Sequence, residues 1–412
     1  RFLVFLTVQA SVSLRVLPHV SNHEMFVLLA NLSIFHAIIF YVVKRKSFNI
    51  NQKDLYNLFA PLIRLELIIL YFFVVLHKLN SAFFTTSASC ATEFYNAQNS
   101  LSILPTSEFI YALNAYGTVL IEALIPTLLC FRRTRNIGLL IGLCFHCLIA
   151  YNPINGFYDF SSAIFAAYVV FTAASFSNTA HSLFYKARNY LNRLKETPFS
   201  YKRLMSIIGV LFCLLVALPV VSKIVTDYFR YLLWTGFSIG FIILFVKASF
   251  FTREKSLDEV ARFKPASPLL WLFPVIIVIN GMCPYIGLKT ESSFSMFSNL
   301  RTEGGVSNHL FIPANIQIFD YQKDLVEVIS STKPILQQKA DNKQLMVYFE
   351  FKHLVSDTRP EKVEYIRNGK RQTFSWATAS ADDELVRGNP FLLKKIMKFR
   401  SISKYEPQPC SH

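Results

Sequence analysis

Residues 65–84 read LELIILYFFVVLHKLNSAFF. The stretch begins as an almost wholly apolar run of the kind that belongs in a bilayer. It ends on His77, Lys78 and Asn80 and passes into a polar loop. An imidazole and an amine side by side at the end of a membrane helix either anchor it in the headgroups or do chemistry at the rim of a cavity.

The rest of the chain has the same texture. Its 412 residues are 53% hydrophobic and only 17% charged, with a mean hydropathy of +0.36, a combination rare in soluble domains. Apolar runs long enough to cross roughly 30 Å of hydrocarbon recur at 1–17, 25–43, 58–77, 108–131, 136–152, 158–178, 205–225, 229–250 and 268–288. The first begins at Arg1 without a methionine and is not read as a signal peptide. These runs predict an all-α polytopic membrane bundle of about 8–9 transmembrane helices.

The net charge of +16 does not point to nucleic acid, because the basic residues fall in alternate loops. Lys44, Arg45, Lys46 and Lys53 occupy one; Arg132, Arg133 and Arg135 the next; then Lys186, Arg188, Arg193, Lys195, Lys202 and Arg203; then Arg253, Lys255, Arg262 and Lys264. The loops between them are nearly free of Lys and Arg. The positive-inside rule places the basic loops in the cytoplasm. Lys78, loop 78–107 and everything after residue 288 then face the other side. Cys90 and Cys410 fall on that side, where an oxidising compartment permits a bridge between them, although sequence alone does not fix the pairing.

After Gly287 the pattern changes. Residues 289–309 are rich in Ser, Asn and Gly; short alternating segments follow at 309–320, 344–355 and 362–376, the last holding the hairpin signal Asn368-Gly369. A helical stretch is expected at 389–400. The division is thus 1–288, a transmembrane helical domain, and 289–412, a small extracytoplasmic α+β region.

Ionisable groups inside spans are functional candidates. Arg64, Tyr71 and Lys78 are spaced by seven and share one helical stripe, which either lines a polar cavity or snorkels to the two headgroup layers. Arg64 and Glu66 point to different faces. Glu122 has no cation near it in sequence and must find a partner across helices or stay protonated. His146 lies within a span, either as a hydrogen-bonded structural group or as a catalyst. Asp159 stands at the mouth of the next span, on the side of Lys78. The spacings do not resemble a metal site, a phosphate-binding glycine loop or a nucleophile elbow.

The segments YFFVVLHKLN (71–80), CFRRTRNIGLLIGLCFHCLIA (130–150) and FYDFSSAIFAAYVVF (157–171) carry a resemblance to the HTTM family, the transmembrane domain shared with vitamin K-dependent γ-glutamyl carboxylase. It covers roughly 1–290, and the words HKLN, IEALIP (121–126) and CPYIGLKTESSFSMFSNLRTEGG (283–305) look like a bacterial branch. The resemblance implies that Lys78 is the base that deprotonates a reduced, vitamin K-like quinone, which with oxygen becomes a base strong enough to take a substrate proton before carbon dioxide adds. His146 matches the family Phe-His and would touch the quinone or orient the lysine; His77 stands where the carboxylase has a second lysine. Arg64, Tyr71, Asn80, Glu122 and Asp159 are the further candidates to hold the quinol. Val75 replaces a family glycine, the tryptophan that often follows Lys-Leu is absent, and about 110 residues replace the large lumenal region.

The expectation is a multi-pass protein of a bacterial cytoplasmic membrane, with membrane lipid and a lipid-soluble quinol as partners. The competing expectation is a non-catalytic scaffold that docks a protein or peptide through its extracytoplasmic region. A transporter is the third, with no inverted repeat in the sequence to support it.

Overall fold

The structure, a computed structural model, describes residues 2–153, 156–194, 201–251 and 263–410. The basic residues Lys195, Arg253, Lys255 and Arg262 lie outside them. The chain divides into two compact units, Arg1–Pro126 with Arg262–His412, and Thr127–Ala261.

The first unit starts with α1 (Phe2–Val16), α2 (Asn22–Arg45) and α3 (Gln52–Lys78). Ser21 and Glu24 close a reciprocal capping box on α2, and the Asn51 side chain accepts from Lys53 and Asp54 to start α3. Two short helices, α4 (Ser81–Phe84) and α5 (Cys90–Gln98), lead to α6 (Glu108–Cys130), which crosses the boundary between the units; α12 (Leu272–Ile286) returns to the first one. α3 is the central helix, packed on both α2 and α12. At the α3–α12 crossing a Cβ on Gly281 would sit 2.3 Å from the Phe73 ring, so only glycine permits that approach.

The rest of this unit is a five-stranded antiparallel sheet in the order β4-β3-β1-β2-β5. Its strands are β1 (Leu325–Ser331), β2 (Gln344–Val347), β3 (Lys362–Arg367), β4 (Lys370–Ser375) and β5 (Ile402–Ser403). α13 (Pro334–Asp341) and α14 (Tyr348–Thr358) pack against it over a core that includes Val326, Val328, Leu336, Phe351, Val355 and Val363. α15 (Glu384–Arg387) and α16 (Phe391–Ile396) complete it. Asn368 and Gly369 both have positive φ, 50° and 71°, at the β3–β4 turn, as their hairpin signal requires.

The second unit holds α7 (Arg135–Ile149), α8 (Tyr158–Val169), α9 (Ala174–Leu194), α10 (Tyr201–Val221) and α11 (Lys223–Val246), which runs into one turn of π-helix at Lys247–Phe251. Phe165, Trp234, Phe237 and Phe241 form an aromatic cluster between α8 and α11.

Among the described residues five helices are long and apolar enough to cross a membrane: Asn22–Arg45, Gln52–Lys78, Glu108–Cys130, Val225–Phe251 and Pro268–Ile286. The helices at Phe2–Val16 and Arg135–Ile149 are apolar but shorter. The expected span at 158–178 is two helices. The chain leaves α8 through i→i+3 bonds at Phe171 and Thr172, and the Thr172 hydroxyl binds the Val169 carbonyl at 2.8 Å. The expected span at 205–225 has side chains partly outside the described residues.

Three expectations for the C-terminal region are corrected. Residues 309–320 form no strand; they hold a 3₁₀ turn at Ala314–Ile316 and one bridge, Asn80 to His309. Pro313 lacks the N–H that a ladder needs. Residues 348–355 are helical, because the pattern of Tyr348, Phe351 and Val355 puts their side chains on one helical face toward the sheet. The helix expected at 389–400 is limited to Phe391–Ile396.

Candidate functional site

The four residues 77–80 tie α3 to three other parts of the first unit. His77 is fully buried. Its Nε2 lies 3.1 Å from the Ser293 carbonyl, which can only accept, so Nδ1 is the acceptor of the Tyr285 hydroxyl at 2.9 Å. The ring stacks on Phe73 at 5.7 Å. Asn80 caps α4 by accepting from the Phe83 N–H at 2.9 Å, and its amide donates to the carbonyls of His77 at 2.8 Å and Ser298 at 2.6 Å. The Leu310 N–H binds the Leu79 carbonyl.

Lys78 turns the other way. Its Nζ donates to both oxygens of Glu122, at 2.8 and 2.6 Å, and the two side chains are only 8% and 10% exposed. The carboxylate without a cation near it in sequence finds one across helices. Glu122 lies roughly 21 Å along α6 from Glu108, so the pair is level with the inner part of that helix. Phe83 lies under the amine at 6.0 Å, and Phe84 stacks on Tyr116 at 4.7 Å.

The other members of the expected stripe are also buried. Tyr71 is 4% exposed. Arg64 reaches back along α3 to the Tyr56 hydroxyl at 3.4 Å. Glu66 on another face is fully buried, beside Ser33 of α2. Both faces of α3 are covered because it is the central helix.

Segment 289–309, polar in sequence, is more than half buried: Lys289, Thr290, Ser292, Ser293, Ser295, Ser298, Asn299, Thr302 and Glu303 are all inside. Ser292, Phe294, Phe297 and Asn299 have φ between 54° and 65°, a conformation uncommon outside glycine. Positive and ordinary φ alternate over Ser292–Ser295. The loop is held by its own hydroxyls: Ser293 and Ser295 both donate to the Thr290 carbonyl, at 3.0 and 2.9 Å, and Ser298 to the Ser295 carbonyl at 2.6 Å. This loop is bonded to the residues on either side of Lys78, through His77 and Asn80. Nearby, Arg400 and Glu303 form a buried ion pair at 3.2 Å.

Cys90 and Cys410 are joined in a disulfide with their Cα atoms 4.7 Å apart. Asn299 holds the same place together: its side chain accepts from the Cys90 N–H and donates to the carbonyls of Ala88 and Gln408.

His146 and Asp159 belong to the second unit. His146 is 1% exposed, edge-on to Phe160 at 5.1 Å and to Tyr168 at 6.1 Å. Asp159 is exposed at the start of α8, where it accepts from the Phe160 N–H and lines a cavity of about 490 Å³ with Tyr158, Arg230 and Trp234.

Sequence reading singled out Lys78, Glu122, His77 and Asn80 but not Tyr285, Ser293, Ser298 or Arg400, which complete their surroundings. The density of Ser and Asn at 289–309 is the available signal. No family model, curated protein or solved structure matches the chain.

Proposed function

We propose that the chain is an integral-membrane enzyme of the HTTM type, vitamin K-dependent γ-carboxylase-like, in which Lys78 takes a proton from a lipid-soluble reduced quinone. The observation that carries this reading is the buried Lys78–Glu122 pair. Its net charge is zero, so a proton can pass from the ammonium to the carboxylate without creating net charge in a poorly polarisable setting. That transfer leaves a neutral amine, the form a base requires.

The surroundings suit a flat aromatic ring. The Phe83 ring lies against the amine, and Phe84, beside it in sequence, stacks on Tyr116 of α6. When bound, a reduced quinone supplies, through its reaction with oxygen, a stronger base than any side chain. His77 and Asn80 act as positioning residues: their bonds to Tyr285, Ser293 and Ser298 fix the end of α3, and with it the lysine.

A multi-pass protein of about 8–9 spans with residues 289–412 outside the cytoplasm remains our reading of its topology. Two features support it. Lys44, Arg45, Lys46 and Lys53 cluster at the opposite end of α3 from Lys78. The Cys90–Cys410 disulfide, near the Lys78 end, suits an oxidising compartment.

The scaffold reading is favoured by a different observation: His77, Lys78 and Asn80 all spend their polar atoms on contacts within the fold. Oxygen uptake by the purified chain in lipid nanodiscs, with reduced vitamin K added, separates the two. Quinol-dependent uptake that falls at least 100-fold in Lys78→Met supports the enzyme. Undiminished uptake in that variant removes Lys78 as the base, and no uptake by the unaltered chain favours the scaffold.

A further inference from the structure

Two exposed apolar segments of the first unit lie at the ends of its apolar helices. The first is 309–319, HLFIPANIQIF, which carries no Lys, Arg, Asp or Glu. It is tied down at both ends. His309 Nε2 donates to the Leu76 carbonyl in the last turn of α3 at 2.9 Å, and the Leu310 N–H binds the Leu79 carbonyl. Further on, the N–H groups of Ile318 and Phe319 both bind the carbonyl of Ile286, the last residue of α12. The segment therefore bridges the ends of α3 and α12, and Phe311 and Ile318 stand out of it, 73% and 74% exposed.

The second segment is α16. On its helical wheel Phe391, Lys395, Leu392 and Ile396 follow one another within an arc of about 140°. Lys395, inside that arc, donates through Nζ to the carbonyls of Arg15 and Leu17, at 3.0 and 2.7 Å, at the end of α1. The arc with its three exposed apolar side chains is thus the side of α16 next to the end of α1. The turn after α1 is joined in its turn to the loop after α12, because the Ser292 hydroxyl donates to the Val20 carbonyl at 2.5 Å. The ends of α1, α3 and α12 and both apolar segments therefore lie on one side of the unit.

We infer that 310–319 and the exposed arc of α16 insert into the headgroup–acyl boundary of the lipid leaflet on the Lys78 side, as two wedges that seat the C-terminal region on the membrane. Large apolar side chains grouped on a surface mark an interaction site, and interfacial segments bury them at this depth while amines stay at headgroup level. Lipid is the occupant because the patches continue the flanks of the helices: Val12, Leu14 and Val16 of α1 and Val278 and Ile279 of α12 are exposed as well. The far edge of the sheet has the opposite character, with Lys370, Arg371, Gln372 and Thr373 exposed on β4. The inference rests on reading α3 and α12 as spans, and not on the role of Lys78.

The test is photocrosslinking of the full chain in nanodiscs of phosphatidylethanolamine and phosphatidylglycerol, with a benzophenone side chain placed in turn at Phe311, Leu392, Phe72 and Lys370. Phe72 is an exposed position within α3, and Lys370 an exposed one on β4. Lipid adducts, read by mass, form at Phe311 and Leu392 with a yield comparable to that at Phe72 and at least tenfold above that at Lys370. A yield at Phe311 or Leu392 no higher than at Lys370, with a strong adduct at Phe72, would overturn insertion of that segment and leave the spans standing. A yield at Phe72 no higher than at Lys370 would overturn the spans, and the inference with them. Adducts from Phe311 and Leu392 to a second copy of the chain in place of lipid would overturn the inference by making the patch a protein interface.

Discussion

Removing one member of the Lys78–Glu122 pair leaves the other charge buried without a partner. Lys78→Met or Glu122→Gln should therefore each lower stability by about 3–5 kcal/mol. The double change Lys78→Met with Glu122→Leu should recover most of that loss, as read by thermal unfolding in detergent. Recovery of the fold without recovery of quinol-dependent turnover would separate the chemical role of the pair from its structural one. His77→Phe keeps the stack on Phe73 but strands the Tyr285 hydroxyl and the Ser293 carbonyl. It should cost about 2–4 kcal/mol and shift the unfolding midpoint down. The ionisable candidates were legible one by one, because a charge inside an apolar run stands out. Their partners were not. Lys78 and Glu122 are 44 residues apart, and helical periodicity says which face a residue occupies without saying which helix lies opposite. Arg400 gave no signal of its own: it ends the stretch 389–400, which was expected only as a helix.

At the scale of elements, the α3–α12 crossing depends on the missing side chain of Gly281. Gly281→Leu should force Phe73 aside and cost at least 1–3 kcal/mol, measurable as a lower unfolding temperature. α14 carries a pH-sensitive group, since burial raises Glu350 to about 7, with the Phe399 N–H as a hydrogen-bond donor to its carboxylate. A carboxyl raised in the folded state binds its proton more tightly there than when unfolded. Its contribution is complete below its unfolded value, near 4.3, and is lost as pH rises through about 7. The C-terminal region should accordingly unfold at a higher temperature at pH 5 than at pH 8, and Glu350→Gln should flatten the difference. The Asn368-Gly369 hairpin was readable because its turn chemistry is local. β1 was missed, though LVEVISS alternates, and 344–355 was read as one segment because four strand residues pass into a helix without a Gly or Pro between them. The packing of α14 on the sheet decides that switch, and it is a long-range effect.

For the whole molecule, the disulfide links residues 320 positions apart and fixes the C-terminal tail beside α5. Cys410→Ser should speed hydrogen exchange over 402–409 and at the β2 residues paired to β5, with α3 unaffected. The apolar runs were legible from composition, but the grouping of helices into two units was not, because it follows from which faces meet. That grouping has a consequence for biogenesis. Thr127–Ala261 interrupts the first unit in sequence, so α3 is synthesised long before α12, the neighbour that seals it. Until the ribosome has passed the interruption, the Gly281-facing flank of α3 has only lipid or an insertion chaperone to cover it. Nascent chains arrested near residue 260 should therefore crosslink from Phe73 to the insertion machinery, and release once α12 emerges.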